Sequence, residues 1–195
     1  MNGERVRPLR ADARRNRDKL LTVAASSFAL AGAGASLEGI ARQAGVGIGT
    51  LYRHFPTRES LVLAAYWHEV ERLCGTADEL LATLPPDRAL REWMGRLTRY
   101  AITKRGMAEA LTVATSSEGA ALPHAYAQVV GALGRLLDAG VRAGTVRADV
   151  SAEDMILALA GLWRLKESDE GQAQARRLID LLMDGLRTIP SSPRP

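Results

Sequence analysis

Apolar residues recur at every third or fourth position along almost the whole chain, and that spacing is the period of an α-helix. Leu20, Ala24 and Phe28 stand in an i, i+4, i+8 row, and Leu37, Ile40, Ala41 and Ala44 share one face. Leu178, Leu181, Leu182, Gly185, Leu186 and Ile189 form one clean stripe, with Ile179 and Met183 beyond it. Alternating Val, Ile and Thr between turn dipeptides, the mark of a sheet, is missing. Pro56, Pro85, Pro86 and Pro123 fall between periodic segments, where a proline breaks no helix. The fold class that follows is all-α, with about nine helices. The spacing predicts them over 13–30, 37–44, 48–54, 58–84, 88–104, 107–114, 124–141, 152–165 and 172–187. Met1 to Arg10 and Ile189 to Pro195 read as disordered tails, and Thr115 to Gly119 as a soft connection.

Charge divides the chain unevenly. Residues 1–60 carry 10 Lys+Arg against 5 Asp+Glu, which leaves 16 against 17 for the remaining residues. A basic head on a near-neutral body suits a polyanion partner, although a solvated charged face gives the same count. The predicted domains are a three-helix head over 1–60, a helical body over 61–190 and a tail over 191–195, meeting inside the long fourth helix. No window approaches ~18 uncharged apolar residues, so no membrane partner is expected. Nothing at the N-terminus has the form of an export signal, so the expected location is cytoplasmic. Cys74 is the only cysteine, which rules out an intrachain disulfide and a thiolate metal cluster.

The stretch Ser36 to Arg58, SLEGIARQAGVGIGTLYRHFPTR, carries most of the information. Ser36 can cap the second helix, and Glu38 suits the positive end of its dipole. Gly45 follows the last inward residue and can take the positive φ that a tight turn needs. A third helix starts within a few residues, with Val46 plugging the gap. This is a helix-turn-helix, whose short connection sets the second member steeply enough to enter a major groove. In that member Leu51 can serve a core, whereas Ile48, Gly49, Thr50, Tyr52, Arg53 and His54 have none to serve. Gly47 and Gly49 cost helix propensity, by about 1 kcal/mol each, a cost that close approach to another backbone could explain. Tyr52, Arg53 and His54 offer a phenol, a forked cation and an imidazole, groups suited to phosphate oxygens and base edges.

The run Ile40-Ala41, Ala44-Gly45-Val46, Gly49-Thr50-Leu51-Tyr52-Arg53-His54-Phe55 and Pro56-Thr57-Arg58-Glu59-Ser60-Leu61 resembles the helix-turn-helix of the TetR (tetracycline-repressor-like) family. The resemblance is specific over about Asn16 to Tyr66 and loose beyond, where helix count and the Gly140–Gly144 to Arg147–Asp149 connection carry it. It implies that Tyr52, His54 and Arg58 contact phosphates, that Ile48, Gly49, Thr50 and Arg53 face the groove, and that Ser36 lies against the DNA backbone. Gly47 departs from the pattern, because the family often has a capping Ser there. Gly49 has no side chain, so base reading falls on Ile48, Thr50 and Arg53. Arg14, Arg15 and Arg17 oppose the dipole of the first helix, which suggests contact with phosphate or a minor groove, or else a frayed terminus.

Two adjacent helices of the body carry more apolar surface than one chain needs. Ser151-Ala152-Glu153-Asp154 reads as a capping motif, and Met155 to Leu165 is apolar all round except for Arg164. A two-fold dimer interface uses such a surplus, and the resemblance implies the same. The residues selected for it are Ile156, Leu159, Trp163, Leu178, Leu182 and Leu186; intrachain core is the other reading. Trp67, Trp93, Met94, Leu97, Tyr100, Met107, Leu111, His124, Tyr126 and Trp163 are candidates to line a pocket for a small, mostly apolar effector, or to be plain core.

The expected function is a dimeric, sequence-specific regulator on an inverted-repeat DNA operator, a repressor released by that effector. A regulator without an effector, or an activator, is the alternative. An enzyme is not expected: His68 and Glu71 share a helix face but fall short of a metal site, and no nucleophile motif appears. No catalytic residue, metal or cofactor is assigned.

Overall fold

The computed structural model describes residues 6–115 and 121–188. Within them the chain forms nine α-helices: α1 (Val6–Ala31), α2 (Leu37–Ala44), α3 (Ile48–His54), α4 (Arg58–Thr83), α5 (Pro86–Thr103), α6 (Met107–Thr115), α7 (Ala121–Arg142), α8 (Ala152–Ala160) and α9 (Asp169–Leu186). Short 3-10 turns follow α1 (Gly32–Gly34) and α8 (Gly161–Arg164). Among the described residues the only extended pairing is an isolated antiparallel bridge between Val146 and Arg187. The all-α expectation holds. The Ser116–Gly119 stretch and the tail from Ile189 lie outside the described residues.

Several boundaries differ from the periodicity, each for a local reason. α1 begins at Val6, inside the stretch expected to be a disordered tail. Before Leu20 the sequence has too few large apolar residues, Val6 and Leu9, to set a helical period, and Pro8 falls in the first turn, where a missing N–H is harmless. Pro86 opens α5 and Pro123 lies in the first turn of α7, so these two prolines start helices rather than separate them. α8 tightens into 3-10 geometry at Gly161. Ser168 then caps α9, accepting a hydrogen bond from Gly171 N–H at 3.1 Å, with Asp169 and Glu170 in the first turn. The motif at Ser151 is present: its Oγ accepts from Asp154 N–H and its own N–H donates to Asp154 Oδ2, both at 3.1 Å.

The helices gather into two compact units. The first comprises Met1–Val70 with Lys104–Pro123, and is therefore discontinuous in sequence. Its core joins Leu20, Ala24 and Phe28 of α1, Ile40 and Ala44 of α2, Leu51 of α3, Leu61 and Ala65 of α4, and Met107, Leu111 and Ala114 of α6. α6 reaches this core because Gly106 has no side chain: a Cβ there would collide with the Ala29 carbonyl, a backbone group with no freedom to swing aside. Lys104 Nζ lies 3.7 Å from the Glu69 carboxylate, tying the turn before α6 to α4.

The second unit comprises Glu71–Thr103 with His124–Pro195. Leu90, Trp93 and Met94 of α5 pack with Leu133 and Leu136 of α7, Met155, Ile156 and Leu159 of α8, and Ile179, Met183 and Leu186 of α9. The one polar atom of Trp93 is satisfied, its Nε1–H donating to the Leu73 carbonyl at 3.1 Å. Arg91 Nε donates to Asp180 at 2.5 Å and links α5 to α9. That bond holds the Asp180 carboxyl below its ordinary range. The end of α9 is hooked to the α7–α8 turn, since Arg147 N–H donates to Leu186 O and Thr188 Oγ1 to Gly144 O, each at 2.8 Å.

Candidate nucleic-acid interface

The sequence places a left-handed residue between α2 and α3, and the turn is built around it. Gly45 has φ 76° and ψ 29°. Its N–H donates to Arg42 O at 3.1 Å, and Val46 N–H donates to Ala41 O at 3.0 Å. Those two bonds close the end of α2 in a Schellman motif. At the other end Ser36 caps α2, its Oγ accepting from Gly39 N–H at 3.1 Å while donating to Glu38 Oε2 at 3.2 Å. The four inward residues Leu37, Ile40, Ala41 and Ala44 hold α2 in the head.

α3 has seven residues, and Leu51 alone is buried. Phe55, which ends the helix, is buried as well. Everything else looks outward. Ile48, Gly49, Tyr52, Arg53 and His54 are exposed, and Thr50 is half-buried. The structure therefore brings the predicted groove-facing set onto one short, solvent-facing helix. Gly47 caps it without a side-chain bond. At Gly49 a Cβ would meet nothing within 4 Å, so no packing inside the chain asks for glycine there.

Arg17 reaches the same end of α3. Its Cζ lies 5.7 Å from the centroid of the Phe55 ring, a cation–π distance. Arg15 is exposed on α1. Thr57 and Ser60 cap α4 reciprocally, a pairing that spacing alone did not suggest because Ser stands where Glu or Gln usually does. Ser60 N–H donates to Thr57 Oγ1 at 3.1 Å, and Thr57 N–H donates to Ser60 Oγ at 3.2 Å. Arg58 departs from the outward orientation expected of a phosphate contact. Its Nη2 donates to the Ala35 carbonyl at 2.6 Å and its Cζ stands 5.8 Å over the Phe28 ring.

The body residues sort differently from the expectation. Ile156, Leu159 and Leu186 are buried in the core of their own unit, so they are core and not interface. Trp163, Leu178 and Leu182 are half-buried against that core. The large apolar side chains left in the open on α8 and α9 are Leu157, 76% exposed, and Leu181, 66% exposed. An all-round apolar helix announces a second face, but spacing does not say which stripe meets its own chain.

The effector candidates are divided between the two units. Trp67, Met107 and Leu111 belong to the first unit; Trp93, Leu97, Tyr100, His124, Tyr126 and Trp163 belong to the second. Met107, Leu111, Trp93, Met94 and Leu97 are core, whereas His124 and Tyr126 are exposed. An open cleft of about 700 Å³ in the second unit includes none of them. Its charged lining, Asp87, Arg88, Arg91, Asp180, Asp184 and Arg187, is balanced, and Arg91 and Arg187 are already paired with Asp180 and Asp184. Burial pushes the Cys74 thiol up, away from the reactive thiolate form. Among the described residues no group of three or more His, Cys, Asp or Glu could hold a metal, and no helix is long and apolar enough to cross a membrane.

A capped, glycine-turned helix pair that turns its second helix outward defines a helix-turn-helix DNA-binding regulator. Residues 20–65 match the profile of bacterial regulatory proteins of the tetR family, and residues 85–188 match that of the SbtR-like transcriptional regulator C-terminal domain. The chain belongs to the TetR family of transcription regulators, and is not an enzyme. It is similar to the TetR transcriptional regulator SCO0520 from Streptomyces coelicolor, with 48% identity, TM-score 0.83, and coverage of 90% of this chain and 99% of that one. It is also similar to a TetR transcription regulatory protein from Mycobacterium vanbaalenii, with 40% identity, TM-score 0.78, and coverage of 93% and 100%. The HTH-type transcriptional repressor KstR of Mycolicibacterium smegmatis is 32% identical over 107 residues, 53% of this chain and 52% of that protein. The chain thus spans about half the length of that curated relative.

Because glycine at position 49 serves no internal contact, Gly49→Ala should raise stability of the head by up to about 1 kcal/mol through helix propensity. The same change should weaken DNA binding, by placing a methyl group where a backbone approaches. Urea denaturation and a DNA titration measure the two effects, and unchanged DNA affinity would refute the close approach.

Proposed function

We propose that this chain is a dimeric repressor that reads an inverted-repeat operator with α3 and lets go when a small, mostly apolar molecule enters its body. The observation that carries the DNA part is α3 itself: seven residues with a single buried side chain, Leu51, have no purpose as packing. Ile48, Thr50 and Arg53 read base edges, while Tyr52, His54 and Ser36 meet the backbone. Arg17, braced on Phe55, and Arg15 reach flanking phosphates. Repression is supported by the KstR relative, itself named a repressor, and by the fact that a dimer seated on a promoter blocks polymerase without further contacts. DNA reading belongs to the head over 1–60, whose core α6 completes, and sensing and dimerisation to the rest of the body over 61–190. The protein works where the DNA is, in the cytoplasm.

Dimerisation follows from Leu157 and Leu181. Two large apolar side chains so exposed on successive helices, together with half-buried Leu178, Leu182 and Trp163, are apolar surface suited to a second copy. Two heads joined in this way match half-sites about one helical turn apart. The effector part rests on the size of the second unit, since dimerisation alone needs fewer helices. The rival reading, a regulator with no effector, draws support from the core positions of Trp93, Met94 and Leu97.

Arg53→Ala should cost roughly 1–3 kcal/mol on an operator selected from random sequence and relax preference at one base pair. An equal loss on random duplex would remove base reading from Arg53. Leu181→Glu should convert a sedimenting dimer into a folded monomer, because Leu181 is exposed in the single chain. A wild-type monomer at micromolar concentration would end the dimer proposal. For the effector, ligands found by thermal shift should bind more weakly in the presence of operator DNA, by about 5–150-fold. Reciprocity requires it, and affinities indifferent to DNA would describe a pocket without a switch.

A further inference from the structure

Arg58 opens α4, where a cation meeting phosphate should leave its fork in solvent. Instead the fork is spent inside the first unit. Nη2 donates to the Ala35 carbonyl at 2.6 Å, and the guanidinium lies over the ring of Phe28, itself 0% exposed. Nη1 is buried and has no hydrogen-bond partner. An unpartnered charged donor is costly to bury, so the contacts made by the rest of the fork must outweigh that cost. Ala35 is the residue just before Ser36, the N-cap of α2. One side chain therefore joins the start of α4, the last inward ring of α1 and the peptide that leads into α2.

We infer that Arg58 is a positioning residue for DNA binding rather than a phosphate contact: it fixes the Ala35–Ser36 peptide, and through it the angle at which α2 presents Ser36 and α3 to the duplex. This rests on the DNA-reading function proposed above. The chemistry asks for arginine. Only a forked guanidinium can sit over Phe28 and at the same time donate from Nη2 to Ala35 O; the lysine ammonium is a compact point charge that can do one or the other. Ser36 Oγ accepts from Gly39 N–H and donates to Glu38, and the Ala35 peptide sets where that hydroxyl stands toward DNA.

The test uses the full-length chain and a duplex enriched by the wild-type protein from a random-sequence pool. Arg58→Met should weaken binding by about tenfold while the slope of log K against log salt stays at the wild-type value. Arg58→Lys should fail to rescue affinity. In an Arg58→Met background, Ser36→Ala should cost much less than it does in wild type, whereas Arg53→Ala should cost the same factor in both. Selective coupling to Ser36 separates positioning from general loss of the fold, and thermal unfolding confirms that each variant is folded; should Arg58→Met fail to fold, the same cycle is run in Arg58→Lys. A slope lower by about one unit in Arg58→Met, with Arg58→Lys binding like wild type, would overturn the inference and restore a direct phosphate contact. A wild-type chain that enriches no duplex would overturn the DNA-reading function itself, and this role with it.

Discussion

The hold of the head on α3 comes down to Leu51. It is the one buried side chain of that helix, at 0% exposure, and it plugs a core built from α1, α2, α4 and α6. A helix of two turns has little stability of its own. It exists because Leu51 and Phe55 are swallowed at its inner face, and because Gly45 turns the chain sharply enough to bring them there. Everything exposed on α3 inherits its position from that single anchor. The same economy leaves five exposed residues and a half-buried threonine for DNA.

The two units are stabilised by different chemistry, which fits different tasks. The first is apolar at its centre and ringed by side chain to backbone bonds: Ser36 on Gly39, Thr57 with Ser60, Arg58 on Ala35. Those bonds set angles between short helices. The second relies on a larger apolar core, with Trp93 pinned by its indole N–H, and on ionic links between helices such as that from Arg91 to Asp180. Because those links are exposed to solvent, their contribution to stability is small, and the core carries the unit.

Much of this was legible in the sequence, for physical reasons that also mark its limits. The turn at Gly45 could be read because a positive φ between two periodic helices leaves few residue choices. The outward face of α3 could be read because six residues there have no core to serve. The direction of Arg58 could not, since spacing says where a long side chain starts and not whether its end folds in or out. Nor could periodicity rank Ile156 above Leu157. On a helix apolar all round, the inward stripe is chosen by the neighbours, and α5, which shares its core, is distant in sequence. The assignment of α6 was hidden for the same reason: Met107 and Leu111 look like body residues by position, and only Gly106 lets them reach α1.

That placement of α6 has a consequence for how the protein is made. The core around Leu51 is completed by Met107, Leu111 and Ala114, so the ribosome has to deliver more than half the chain before the reader can close. Until then the apolar faces of α1 and α2 wait for a partner separated from them by the whole of α5, and closing that long loop slows the final step. During the wait, exposed Leu20, Phe28 and Ile40 are surfaces for a chaperone or for aggregation. The reader is also not a detachable cassette. A swap at residue 60 between two such regulators would hand one protein's α6 to another's α1, and only a recipient with a glycine at the matching point could accept it.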